Sequence, residues 1–133
     1  MVKANMNDEP VQFGTDDLER LVLEILDDMK AQTVKTLDVR QLTDVTDVMI
    51  IASGTSDRHV KAMASQVRER VAETARLRPI GVEGESEGDW VLIDLGDVVV
   101  HLMRPETREY YDLERLWNRE VEELVRLNRE QPE

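Results

Sequence analysis

The sequence predicts an α/β domain, α+β-like in its order, with a mixed β-sheet of about five strands flanked by helices. Three observations carry that prediction. Two stretches, Leu18 to Met29 and Val60 to Val71, repeat apolar residues with the helical period. One run, Val48-Met49-Ile50-Ile51-Ala52, is continuously apolar, as in a strand covered on both faces. Two further runs, Trp90 to Leu95 and Val98 to Met103, are separated only by Gly96-Asp97, a hairpin connection of the Gly-X type.

Taken in order, Met1 to Gly14 is polar and reads as a flexible extension, residues 1–15 in all, with Thr15 or Asp16 as the N-cap of the first helix. Leu18, Leu21, Val22, Ile25, Leu26 and Met29 then line one helical face, and Asp16, Asp17 and Glu19 suit the positive end of its dipole. Thr36 to Leu42, with Leu37 and Val39 alternating, predicts a short strand, and Asp47 to Ser53 a buried one. Gly54-Thr55-Ser56-Asp57 closes that strand and opens a second helix, which Pro79 limits. Pro79 to Val82 is a candidate short strand. After the hairpin, a final helix follows Pro105 and places Tyr110, Leu113, Leu116, Trp117, Val121, Leu124 and Val125 on one side. Residues 118–133 read as a helical extension of it, with Glu and Arg interspersed on a solvated face.

A length of 133 residues suits one domain able to bury a core without staples. The absence of cysteine excludes a disulfide framework and thiolate chemistry, and agrees with a cytoplasmic location. With 29 acids against 17 Lys+Arg, the net charge is −12. Affinity for a phosphate backbone comes from Lys and Arg displacing counterions, so little direct nucleic-acid contact is expected and a basic partner is. The first residues, with Asp8, Glu9 and Pro10, do not form a signal peptide, and no apolar stretch approaches the ~20 residues of a membrane span. The charge is also localised. Glu83 to Asp97 holds six acids (Glu83, Glu85, Glu87, Asp89, Asp94, Asp97) and no base, whereas Asp57 to Arg78 holds six bases against three acids.

Trp90, at the mouth of this acidic loop, has two readings. It is an anchor for a protein partner, since tryptophan is enriched at interface hot spots, or it packs over the sheet as core. His59, in the first turn of the second helix, belongs to a glycine-hydroxyl loop that could hold phosphate on backbone amides. The loop lacks the glycines and lysine of a P-loop, and capping by Ser56 or Asp57 is the better account. His101 shares a strand face with Val99 and Met103 and reads as a hydrogen-bonded structural residue. Asp94 and Asp97 could hold Mg²⁺, but Asp94-Leu95-Gly96-Asp97 straddles a turn rather than aiming both carboxylates at one face. Turn chemistry is preferred, and neither metal nor cofactor is expected. Tyr110 and Tyr111 point about 100° apart on a helix, so one of them is left to meet a partner. Trp117 continues the apolar stripe.

Thr46 to Trp117 resembles the Iojap family, the ribosomal silencing factors (RsfS). The resemblance lies in Thr46-Asp47-Val48-Met49-Ile50-Ile51, Ser53-Gly54-Thr55-Ser56-Asp57-Arg58-His59-Val60, Gly81-Val82-Glu83-Gly84-Glu85, Asp89-Trp90, Asp94-Leu95-Gly96-Asp97-Val98-Val99-Val100-His101 and Tyr111-Asp112-Leu113-Glu114-Arg115-Leu116-Trp117. It implies a silencing-factor domain over residues 16–117, with a nucleotidyltransferase-like fold that lacks catalytic carboxylates. It also implies a non-enzymatic role: binding ribosomal protein fourteen of the large subunit, blocking subunit association sterically and repressing translation when nutrients are scarce, with a homodimer when free. On that basis Asp89, Trp90, Met103 and Tyr111 are expected to make the contact, and Glu83, Glu85 and Asp94 to supply complementary charge. The runner-up is an Mg²⁺-dependent nucleotide-binding enzyme using Gly54-Thr55-Ser56 and Asp94/Asp97.

Overall fold

A computed structural model of the chain describes residues 14–111 together with Arg126, Arg129 and Glu130. Eight elements follow one another: α1 (Thr15–Asp28), β1 (Gln32–Asp38), β2 (Val48–Ser53), α2 (Asp57–Ala75), β3 (Gly81–Glu83), β4 (Trp90–Asp94), β5 (Val98–Met103) and α3 (Pro105–Tyr111). The expected final-helix residues Leu113, Leu116, Trp117, Val121, Leu124 and Val125, and Met1 to Phe13, where a flexible extension is expected, lie outside the described residues.

The five strands form one mixed sheet in the order β1-β2-β5-β4-β3. The β2–β5 pair is parallel, running from Val48↔Val98 to Ser53↔Met103, while the other pairs are antiparallel. The most apolar strands, β2 and β5, thus occupy the interior of the sheet and are buried at every position. One sheet face carries Val48, Ile50, Ala52, Val91, Ile93, Val98, Val100 and Leu102 against Leu18, Val22, Ile25 and Leu26 of α1 and Val60, Met63, Val67 and Val71 of α2. The pleat aims Met49 and Ile51 of β2, Trp90, Leu92 and Asp94 of β4, and Val99, His101 and Met103 of β5 at the opposite face. Val39 and Leu37 pack there against Met49, Ile51, Met103 and Trp90, and Val45 packs against Leu92 and Val99.

Two local expectations are corrected. The N-cap of α1 is Gly14, whose amide donates to Asp17 Oδ2 at 3.4 Å, and not Thr15 or Asp16. The Thr15 hydroxyl instead lies 3.3 Å from Asp47 Oδ2 and 3.2 Å from Asp97 Oδ2, joining the start of α1 to the sheet. The first strand begins at Gln32 rather than Thr36 and ends before Leu42, which is 65% exposed. Its polar stretch is extended by pairing with β2, with a bulge between Gln32 and Lys35 where Thr33 takes φ 48°. The hairpin follows its expected chemistry. Gly96 takes φ 92°, and the Leu95 amide donates to the Val98 carbonyl at 2.9 Å.

A candidate docking surface around Trp90

The acidic connection between β3 and β4 is a fixed structure. The amides of Glu87 and Gly88 both donate to the Gly84 carbonyl, at 3.3 and 3.1 Å. Gly84 and Gly88 both take positive φ, 84° and 77°, and Gly88 is buried against the backbone of Asp57 at the start of α2. Arg68 of α2 grips the loop by donating to both oxygens of Glu85, at 2.8 and 2.7 Å. The basic α2 segment and the acidic loop therefore offset part of each other's charge within the chain.

Trp90 follows this loop as the first residue of β4, half-buried. Its ring packs on the cluster of Val39, Met49, Ile51 and Met103, and its indole Nε1–H donates to His101 Nδ1 at 2.9 Å. Asp89, beside it, is exposed and pairs with Arg104 at 3.0 Å, while the Arg104 amide donates to the Asp89 carbonyl at 3.1 Å. Glu83 is half-buried and Glu87 exposed, and neither has an ion-pair partner among the described residues. Net negative charge here is thus carried by Glu83 and Glu87, with Glu85 and the exposed Asp89 each partly neutralised by an arginine.

Two of the expected contact residues are buried. Asp94, at the far end of β4, is fully buried; it accepts from Arg129 Nε at 2.6 Å and Nη2 at 2.9 Å, and from the Gly96 amide at 2.9 Å. It cannot offer charge to a partner, because its carboxylate is spent inside the chain. Met103, opposite Trp90 in the β4–β5 register, is also fully buried and supports the indole from below. Tyr111 ends α3, and its side chain lies outside the described residues. Its neighbour Tyr110 is 81% exposed.

The two histidines have separate structural tasks. His59 accepts from the Thr55 amide through Nδ1 at 2.9 Å, and its Nε2 lies 2.8 Å from the Met29 carbonyl, joining the end of α1 to the start of α2. Ser56 caps α2 by accepting the His59 amide at 3.1 Å, as the capping account required. Since the Thr55 and His59 amides already have acceptors, they are not open to cradle phosphate.

His101 is fully buried at the centre of the sheet, and burial pushes its imidazole from 6.5 down to about 3. The unfolded chain therefore binds a proton there below pH 6.5 that the folded chain refuses, so this residue removes stability as pH falls from about 6.5 toward 3. Between pH 7 and pH 5 the loss is about 2 kcal/mol. Urea unfolding at both pH values should show this loss for the parent and not for His101→Asn. Equal pH dependence of the two chains would contradict it.

Comparison with known proteins places this geometry. The family model described as "Ribosomal silencing factor during starvation" matches residues 14–133, past Trp117 to the last residue of the sequence. The ribosomal silencing factor RsfS of Chromobacterium violaceum is 45% identical over 101 residues, covering 76% of this chain and 82% of that protein. The mouse protein named "Mitochondrial assembly of ribosomal large subunit protein 1" is 38% identical over 103 residues, 76% of this chain and 45% of that one. A crystal structure of a protein from Chromobacterium violaceum superposes with a TM-score of 0.76 at 43% identity, covering 78% of this chain and 86% of that chain. A mixed five-stranded sheet with helices packed on it defines an α/β domain, the fold class shared with the Chromobacterium violaceum structure. The chain belongs to the ribosomal silencing factor family.

Proposed function

We propose that this chain silences ribosomes by docking on ribosomal protein fourteen of the large subunit, where its bulk prevents the small subunit from joining. The observation that carries this reading is Trp90, half-buried on a rigid sheet and set beside the outward acids Glu83, Glu87 and Asp89. A braced aromatic beside exposed carboxylates, of which Glu83 and Glu87 have no ion-pair partner among the described residues, is suited to a basic protein surface, with charge steering the approach and the indole supplying the anchor. The net charge of −12 argues in the same direction, toward a protein and away from ribosomal RNA. The names of the relatives, a ribosomal silencing factor and a large-subunit assembly protein, agree with a ribosomal partner.

The action is steric and needs no catalytic group; it represses translation in the cytoplasm when nutrients are limiting. The free chain is a homodimer, and Tyr111 contributes to the docking surface from the end of α3.

Trp90→Ala should weaken binding to purified large subunits by about 2 kcal/mol, or roughly 30-fold. Co-sedimentation at graded subunit concentration measures it. A folded Trp90→Ala chain that sediments like the parent would take Trp90 out of the contact.

A further inference from the structure

His101 is an odd choice for its place. It lies on the central strand β5, paired with Ile51 on one side and Leu92 on the other, and no part of it is exposed. Trp90 Nε1 can only donate, so His101 Nδ1 must accept and the proton of the neutral ring sits on Nε2. That Nε2–H is buried and has no hydrogen-bond partner among the described residues. A leucine at this position would remove that orphaned donor, at the expense of the acceptor that the Trp90 indole now has. What the imidazole offers in return is one acceptor, held by the central strand of the sheet and aimed at the indole.

We infer that His101 is a positioning residue for the docking surface: its Nδ1 holds the Trp90 indole in a single orientation before the partner arrives. This rests on the reading of Trp90 as the anchor. Packing alone does not set that orientation. The cluster beneath the ring, Met49, Met103, Ile51 and Val39, is aliphatic and includes two flexible methionines, so it supplies contact without direction. The ring centroids of Trp90 and His101 are 5.8 Å apart at an interplanar angle of 44°, so the two rings meet through the 2.9 Å N–H···N bond rather than by face-to-face stacking. An indole ordered in advance loses less freedom on binding, which strengthens the complex with no added contact. Burial also keeps His101 neutral, so the acceptor persists at the pH of the cell.

The test combines spectroscopy and co-sedimentation with large subunits. In the ¹⁵N-labelled parent, Trp90 Nε1 should show a through-hydrogen-bond coupling to His101 Nδ1; its absence overturns the proposal without any variant. His101→Leu exchanges one unpaired N–H for another, so it should keep a stability close to the parent's at pH 7 and should bind about fivefold more weakly, the effect of one net hydrogen bond. His101→Asn, whose Oδ1 stands near the Nδ1 position, should recover most of the binding. A folded His101→Leu that binds like the parent, or a His101→Asn as weak as His101→Leu, overturns the role. Where His101→Leu does not fold, the coupling in the parent and the binding of His101→Asn decide. Should Trp90→Ala bind like the parent, the positioning role falls while docking stands. Should the parent itself fail to bind, docking falls and this role falls with it.

Discussion

Arg129→Ala should lower stability by about 3–5 kcal/mol, the usual cost of leaving a buried charge without its partner. Asp94 is fully enclosed, and Arg129 meets it through both Nε and Nη2. The same guanidinium donates to the Val45 carbonyl through Nη1 and to the Gly96 carbonyl through Nη2, both at 2.8 Å. One side chain therefore closes the β4–β5 hairpin onto the segment before β2. Removing it strands a carboxylate and frees two carbonyls in one step. Thermal unfolding should show a fall of about 10 °C or more for a chain of this size. The double variant Asp94→Leu with Arg129→Met should regain most of the loss, because no charge is then left buried. A single variant within about 1 kcal/mol of the parent would show that the Asp94–Arg129 pair carries little of the fold's stability.

Gly84→Ala should cost about 3 kcal/mol and disturb docking as well. Gly84 takes φ 84°, a left-handed conformation that costs an L-residue about 1–2 kcal/mol. A Cβ there would also overlap the carbonyl oxygen of Trp90, a backbone atom of a paired strand that cannot swing aside. The loop must then lift away from β4, carrying Glu83, Glu85 and Asp89 out of register with the indole. Urea unfolding reads the stability, and co-sedimentation reads the docking. An unchanged midpoint would mean that the loop accepts a side chain, contrary to the close approach seen here.

How far these features can be read from residues alone depends on whether a local pattern or a distant partner decides them. Strands β2 and β5 were legible because continuous apolar runs need cover on both faces, and the hairpin because glycine at its turn admits positive φ. Strand β1 was misplaced because it is a polar edge whose limits are set by pairing with β2, not by its own pattern. Asp94 read as surface charge because acids are seldom fully buried, and its partner Arg129 lies 35 residues away. The Trp90–His101 bond was within reach. A two-residue turn at Gly96-Asp97 sets Leu95 opposite Val98, hence Leu92 opposite His101 and Trp90 opposite Met103. Trp90 and His101 then become diagonal neighbours on one face, close enough for long side chains to meet. Alternation along β5 alone gives only the face of His101; the register across the hairpin is what brings it to Trp90.

The proposed silencing keeps the ribosomal subunits apart because the chain occupies the large one through Trp90. Light scattering from purified large and small subunits, mixed with increasing amounts of the chain, tests it most directly. The account predicts that the parent lowers the joined fraction in proportion to large-subunit occupancy, and that folded Trp90→Ala needs roughly 30-fold more to do so. Subunit joining that proceeds unchanged while the large subunits are saturated with the parent chain would contradict it.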